Sequence, residues 1–337
     1  MEYRVNIDEA NETKSGFSKI IDGKDERLTN RVGAFASLFK LDVSNYSDPL
    51  LVLKTEEPGT KQILAFKYNK IESVCYDMIN HLINDCVVMG ATPLAVQDLV
   101  VCGKLEKDAV TRIVSSISEI CQENECVLTG GETTEQPDIL TPETYILGSS
   151  IIGIVDSDRV IDGRKIRPGD AVIAVASSGP HTNGYTLIRD LLSRYPDLAA
   201  RQLEEKTFIE AVLEPHRCYY KSIKKLFDGQ VVGFAHITGG GIKENLNRIL
   251  PSSVDAVIDL ECYKPQKVFS VIQKAGNVSH GDMLRTFNLG VGLVAVCRES
   301  YAEEVIRSLN ESGENAYRIG EIVQGSGQVR CVNQVKL

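Results

Sequence analysis

Lys107-Asp-Ala-Val-Thr-Arg-Ile-Val-Ser-Ser-Ile-Ser-Glu-Ile-Cys-Gln-Glu-Asn124, running into Glu125-Cys-Val-Leu128, decides the fold class. Val110, Ile113, Val114, Ile117, Ile120 and Cys121 follow 3.6-residue spacing with polar residues between them, which is an amphipathic helix, and Cys126–Leu128 then reads as a short buried strand. The alternation continues outward. Short strand-like runs stand at Leu50–Leu53, Ile151–Val155, Ala171–Val175, Ala256–Leu260 and Gly292–Cys297, and weaker helical periods at Pro265–Ala275 and Tyr301–Leu309. Such an order predicts α/β (α+β) layers.

At roughly 150 residues per domain, a chain of 337 residues predicts about two domains. The best boundary is Asp156–Asp170, where a strand gives way to charges and then to the turn Arg167-Pro-Gly-Asp170. The expected domains are therefore residues 1–160 and 161–337. The first 30 residues are polar with little periodicity and predict an arm or irregular segment rather than core. Residues 128–135 and 237–244 look faintly alike, too short a match to establish a repeat.

Composition narrows the function. Apolar residues make up 43% and charged residues 25%, which is ordinary for a globular chain. The 37 Lys+Arg against 46 Asp+Glu give a net charge of -9 with no basic block, which argues against a nucleic-acid groove. No apolar run reaches the ~18 residues that span a bilayer, and the first residues show no cationic or apolar leader, so the chain reads as cytosolic, with no membrane partner. Nine cysteines, mostly single and in apolar stretches around Cys75, Cys86, Cys218, Cys262 and Cys297, predict reduced core thiols. Cys121 and Cys126 have no companion pair to complete a zinc site. With no Trp, no stacking platform for bases is visible.

On the helix over about Ser73–Gly90, Asp77, His81, Asn84 and Asp85 form one polar ridge beside a wide apolar face. Carboxylates so aligned suit a hard cation such as Mg2+, while a solvated surface stripe is the plainer reading. Before it, Lys54-Thr-Glu-Glu-Pro-Gly-Thr-Lys61 ends a predicted strand with hydroxyls, an open backbone amide and a cation, the ingredients of a phosphate contact, although the Walker spacing is absent. Val127-Leu-Thr-Gly-Gly-Glu-Thr-Thr-Glu135 carries a strand into paired glycines, with Glu132 placed to complete a cation site begun by Asp85. Ser177-Ser-Gly-Pro-His-Thr-Asn-Gly-Tyr185 and His236-Ile-Thr-Gly-Gly-Gly-Ile-Lys-Glu-Asn245 repeat the logic of strand, small residues and helix start, which attracts an anion or is simply a helix start. His181 and His236 sit in these turns, whereas His81, His216 and His280 default to structural roles. No nucleophile triad is legible from spacing.

Taken in order, these stretches resemble the phosphoribosylformylglycinamidine cyclo-ligase family, also called aminoimidazole ribonucleotide synthetase. The likeness is carried by Asn84-Asp85 through Gly90-Ala-Thr-Pro-Leu94, Val100-Val-Cys-Gly-Lys-Leu105, Gly130-Gly-Glu-Thr133, Ile161-Asp-Gly163, the two glycine turns above, Arg285-Thr-Phe-Asn-Leu-Gly-Val-Gly292 and Ile319-Gly-Glu321. With the Lys54–Lys61 turn they span residues 54–321. The resemblance implies a two-domain aminoimidazole ribonucleotide synthetase-like fold. It also implies an N-terminal ATP-binding and dimerisation domain, a homodimer, and an enzyme of purine biosynthesis that uses ATP and Mg2+ to activate a formamide oxygen before ring closure. By motif position it implies Glu56, Asp77, Asp85 and Glu132 as the metal set. Thr55, Gly59, Thr60, Lys61, Asn84, Gly130, Gly131 and Asn183 would be nucleotide contacts, and His181 and His236 catalytic groups.

Against the family's Thr-Asp-Gly-Val-Gly-Thr-Lys, this chain has Thr55-Glu56-Glu57-Pro58-Gly59-Thr60-Lys61. Glu56 lengthens the carboxylate, Glu57 replaces a glycine and Pro58 deletes a backbone donor. The amino-terminal glycine-rich stretch is reduced to Arg31-Val-Gly-Ala-Phe-Ala-Ser37, and Leu284 stands where the family often has Tyr. Selenophosphate synthetase, a relative, is disfavoured because no cysteine precedes Cys75. Two further readings remain open: a paralogue that phosphorylates another amide or small acid, and a catalytically inactive nucleotide-binding dimer.

Overall fold

The computed structural model describes residues 7–23, 25–31 and 33–337, and these form two units. One comprises the chain through Cys86 together with Ala91–Asp158; the other comprises Val87–Gly90 and Arg159–Leu337. Both are mixed α/β.

In the first unit, β1 (Pro49–Glu56), β2 (Thr92–Cys102), β3 (Val127–Glu135) and β4 (Tyr145–Asp156) form a sheet in the order β1-β4-β2-β3. Its pairs are antiparallel except for β2 and β3, which are parallel. Parallel neighbours need a crossover, and the helix read from the periodicity supplies it. It is α4, Lys107–Glu123. All six of its predicted apolar positions are buried. The other helices of this unit are α1 (Ile7–Ile21), α2 (Lys61–Lys67) and α3 (Ile71–Val87).

Helix α1 corrects the expectation of an irregular arm. Phe17 and Ile21, one turn apart, are buried, and Ser118 Oγ on α4 donates to the Ile20 carbonyl at 3.4 Å. The large apolar residues Phe17, Ile20 and Ile21 cluster at one end of α1 and announce no helical period in sequence, but here α4 packs against them.

The two faces of the sheet differ. Val96, Asp98, Val100 and Cys102 of β2 and Leu147, Ser149 and Ile151 of β4 are buried on the helix-covered face. Their alternates Gln97, Leu99, Ile146, Ser150 and Ile152 are exposed on the other. Strand periodicity of two therefore decides which groups can meet α3.

The second unit has a six-stranded sheet in the order β12-β9-β11-β5-β10-β8. Its strands are β5 (Asp170–Ala176), β8 (Val231–His236), β9 (Val254–Asp259), β10 (Val291–Arg298), β11 (Ala316–Gln324) and β12 (Val329–Val332). β6 (Gln202–Leu203) and β7 (Lys206–Thr207) make a small hairpin. Only β9 and β12 pair in parallel. The helices are α5 (Tyr185–Arg194), α6 (Phe208–Val212), α7 (Tyr220–Ile223), α8 (Gly241–Leu246), α9 (Lys267–Gly276), α10 (His280–Thr286) and α11 (Ala302–Glu311). Each strand expected from sequence is present, whereas β2, β6, β7, β8, β11 and β12 were not singled out. Pro93 and Asp98 interrupt β2 and Gly233 interrupts β8, which hides the apolar pattern.

None of the nine cysteines is disulfide-bonded, and Cys218, Cys262 and Cys331 are only partly buried. Among the described residues, no helix is long and apolar enough to cross a membrane.

Gly163 shows why one short motif tolerates no side chain. Its φ is +81°, and a Cβ there would lie 2.0 Å from the Ile249 carbonyl oxygen. Gly163→Ala is expected to destabilise the protein by at least about 2 kcal/mol, read as a lower urea midpoint; an unchanged midpoint would contradict the packing described.

Candidate active site

The loop after β1 is positioned by a buried ion pair. Lys61, the first residue of α2, donates from Nζ to Asp77 Oδ1 at 2.8 Å, and both side chains are 0% exposed. Asp77 lies in the second turn of α3, so the pair fixes the start of one helix against the other. In the turn between, Gly59 (φ +65°) gives its amide N–H to Glu57 Oε2 at 3.0 Å, and Thr60 occupies the N-cap position without capping through its side chain. A carboxylate thus holds the backbone donor on which a phosphate contact would draw.

Further along α3 the ridge meets β1. Lys54 Nζ lies 3.0 Å from Glu56 Oε2 and 3.1 Å from Asp85 Oδ2. His81 Nε2 stands 3.8 Å from the same Glu56 oxygen and 3.6 Å from the same Asp85 oxygen. Burial pulls the Lys54 ammonium down, but hydrogen bonds and charge from Glu56 and Asp85 outweigh it, so its pKa is raised. The two carboxylates do converge on a cation, and that cation is a lysine of this chain. The solvated-stripe reading does not hold, because Asp77, His81 and Asn84 are all buried.

Register extends this polar row across the sheet. Glu56 pairs with Ser149, Ser149 with Asp98, and Asp98 with Gly131, all directed to the helix-covered side. The Ser149 hydroxyl is buried without a hydrogen-bond partner. Burial, reinforced by the nearby Glu132 charge, pushes the Asp98 carboxyl up to about 7. Gly131 is required opposite it, since a Cβ would fall 2.0 Å from the Asp98 carbonyl oxygen. Sequence reasoning missed Asp98; its only signal was a carboxylate among apolar residues of an unrecognised strand.

Glu132 follows Gly131 and therefore points to the opposite, open face, where it pairs with exposed Leu99. The sheet does not bring it to Asp85. On that open face Thr55 Oγ1 hydrogen-bonds Ser150 Oγ at 3.0 Å, and Ser150 is in register with Gln97, whose other neighbour is Gly130. A cavity of about 860 Å³ is lined from this face by Thr55, Gln97, Gly130 and Glu132 and from the helix-covered face by Asp98 and Ser149, with Ser37 from the amino-terminal loop. The sequence-predicted set is thus split by the sheet: Glu56, Lys61, Asp77, Asn84 and Asp85 on one side, Thr55, Gly130 and Glu132 on the other.

In the second unit two asparagines build the glycine turns. Asn288 Nδ2 donates to the Gly179 carbonyl at 2.8 Å while its Oδ1 accepts from Ser177 Oγ and from the Gly290 amide. Asn245 Nδ2 donates to the Gly239 and Gly241 carbonyls at 3.0 and 2.8 Å. Asn183 Oδ1 lies beside Gly239, linking the two turns. His181, in the left-handed region at φ +58°, and His236, at the end of β8, are both buried. His216, expected to be structural, lies with its Nε2 2.8 Å from that of His236.

The chain has the two-domain α/β fold of several solved ATP-binding and kinase structures. Thiamine-monophosphate kinase from Stenotrophomonas maltophilia superposes with a TM-score of 0.70 at 13% identity, covering 97% of each chain. The hydrogenase maturation protein HypE in complex with ATP superposes with a TM-score of 0.69 at 18% identity, covering 97% of this chain and 95% of that one. More specifically, residues 41–155 match the AIR synthase related protein N-terminal domain and residues 167–332 the corresponding C-terminal domain. The chain belongs to the AIR synthase related family. Among its relatives, the phosphoribosylformylglycinamidine cyclo-ligase of Chromobacterium violaceum is 41% identical over 298 residues, 88% of this chain and 86% of the relative. That of Magnetococcus marinus is 39% identical over 340 residues, 98% of this chain and 96% of the relative.

Two outcomes are expected. Lys61→Met and Asp77→Leu should each destabilise the protein by about 3–5 kcal/mol, because either leaves a buried charge uncompensated, while the double variant should lose much less than the sum. Additive losses in denaturant unfolding would disprove the coupling. Asp98, at 3.8 when unfolded and about 7 when folded, adds stability that is complete below pH 3.8 and fades as pH rises through 7. Asp98→Asn should therefore gain on the parent chain between pH 4 and pH 8, by at most about 4 kcal/mol, and a parallel pair of pH–stability curves would refute the burial argument.

Proposed function

We propose that this chain is an ATP-dependent phosphoribosylformylglycinamidine cyclo-ligase of purine biosynthesis. The observation that carries this reading is 39% identity to a cyclo-ligase across 98% of the chain, spanning both domains. The reaction phosphorylates the formamide oxygen of a formylglycinamidine ribonucleotide, and an amidine nitrogen then displaces phosphate to close the imidazole ring. An amide oxygen leaves poorly until it is phosphorylated, and phosphoryl transfer is catalysed mainly by positioning and charge stabilisation.

In this reading residues 1–160 form the ATP-binding and dimerisation domain and residues 161–337 the second domain. Glu56 and Asp85 fit a Mg2+ ion, since their oxygens already converge on a single positive centre in a half-buried site. Bound there, the ion would neutralise charge on the nucleotide phosphates. Lys54 either gives way to it or remains as a second positive charge on the same phosphates. Lys61 and Asp77 act by holding the turn in place, and Thr60 and the Gly59 amide offer the phosphate contacts once Glu57 swings out. His181, Asn183 and His236 serve the second-domain side of the reaction, where the glycine turns offer backbone donors.

A homodimer is supported by the open face of the four-stranded sheet, on which Leu53 is 70% exposed and Leu51 52%, alongside Leu99, Ile146 and Ile152. Apolar residues in consecutive register rows call for a cover, and a second copy provides one that also encloses Thr55, Gly130 and Glu132. The chain would work in the cytoplasm, where its thiols stay reduced.

The Glu57 carboxylate on the Gly59 amide is the one feature that favours a nucleotide-binding dimer without turnover. A single assay separates the readings. Phosphate release from Mg-ATP is expected only when formylglycinamidine ribonucleotide is present; release with other amides, or ATP binding with no release, would reject the cyclo-ligase. Asp85→Asn is expected to lower kcat/KM by at least ~100-fold with unchanged circular dichroism, and full activity in that variant would remove Asp85 from the metal set.

A further inference from the structure

Asp98 and Ser149 are two buried polar groups of the first unit that the cyclo-ligase reading does not employ. They are register neighbours on β2 and β4, 8% and 3% exposed. The Ser149 hydroxyl has no hydrogen-bond partner, and the neighbouring charge that acts on Asp98 is that of Glu132, which has the same sign. Such groups cost free energy unless something bonds them, and both line the same cavity of about 860 Å³. Gly131 makes room for the carboxylate: a Cβ there would fall 2.3 Å from Asp98 Oδ1. Among the described residues that line the cavity, Arg31 is the cation and Asp98 and Glu132 are the carboxylates, so a positively charged group is favoured beside the two acids.

We propose that Asp98, assisted by Ser149, binds the amidinium group of the substrate and thereby selects an amidine over the corresponding amide. This rests on the cyclo-ligase reading and adds a specificity-determining residue to it. An amidinium is planar, carries positive charge and presents N–H donors along one edge. A carboxylate accepts two parallel N–H bonds from such an edge, as it does from arginine, and the Ser149 hydroxyl accepts a further one.

Discrimination follows from what the amide lacks. It is neutral, and it turns a carbonyl oxygen toward the carboxylate where the amidinium turns an N–H. A buried acceptor left facing another acceptor keeps its full desolvation cost, which is how a polar site rejects a ligand that differs by one group. The cavity is large enough for a ribonucleotide, and Arg31 suits its phosphate. The adenine edge of ATP is the rival occupant. It sets one N–H beside a bare ring nitrogen, so it offers an ionised carboxylate one bond and one repulsion. The site is a tertiary product, because Asp98 and Ser149 are 51 residues apart in sequence and are joined only by the β2–β4 register.

The test is calorimetric titration of the full-length protein, without ATP, with formylglycinamidine ribonucleotide and with its amide analogue, and separately with Mg-ATP. The parent is expected to bind the amidine at least ~10-fold more tightly than the amide, and Asp98→Asn to abolish that preference by weakening the amidine alone. Affinity for Mg-ATP should change less than ~3-fold. Ser149→Ala, expected to shrink the preference at least ~3-fold, serves as the second variant, and the variant scored must match the parent circular dichroism. Equal losses for amidine and amide, a loss confined to Mg-ATP, or a parent without preference would each overturn the assignment. Amidine-dependent phosphate release by the parent keeps the two ideas apart: release together with any of these outcomes rejects Asp98 alone, whereas no release and no amidine binding rejects the cyclo-ligase reading and this inference with it.

Discussion

The wholly buried Lys61–Asp77 pair is the constraint on which the first unit depends. Taking two charges out of water is expensive, and their attraction repays it only in fixed geometry. The pair therefore imposes one register between the start of α2 and the second turn of α3. From Asp77 the helical period carries the same ridge to His81 and Asp85, one and two turns on. There Lys54 closes a second, half-exposed charge cluster with Glu56. The turn between Glu56 and Lys61 is consequently held at both ends, and within it Pro58 is buried, Glu57 is exposed and the Glu57 carboxylate accepts from the Gly59 amide.

The sheet then sorts the polar groups. Because side chains alternate, the carboxylates of Glu56 and Asp98 look toward the helices, and Thr55 and Glu132 look away from them. Two neighbouring residues in one glycine-cornered strand, Gly131 and Glu132, thus belong to opposite environments. One cavity is nonetheless lined from both sets, by Asp98 and Ser149 on one side and Thr55, Gly130 and Glu132 on the other. Asp98 is a carboxyl whose pKa burial pushes up to about 7, and in the next strand the buried Ser149 hydroxyl has no hydrogen-bond partner.

The α4 helix and the strands β1, β3, β4, β5, β9 and β10 were legible because their apolar residues follow a single period without interruption. The β2 strand was not, since Pro93 and Asp98 break its pattern, and Asp98 went unrecognised with it. Helix α1 was missed because it leans on α4 for most of its core. In the candidate site, residue identities and order were visible as turns of glycine, hydroxyl and carboxylate. Their partners were not: Lys54 lies two residues from Glu56 but 31 from Asp85, and nothing in spacing says that it bridges them.

By itself the sequence determined the class of those local pieces whose period runs uninterrupted, because helix and strand periods and turn glycines are short-range physics. It also determined the family, since nine weak motifs kept in one order carry joint information that none carries alone. The tertiary structure decided which side of a sheet each carboxylate faces, that Lys61 neutralises Asp77, and that His216 stacks on His181 and hydrogen-bonds His236. Those outcomes depend on strand register and on burial, which are set only when segments far apart in the chain pack and exclude water.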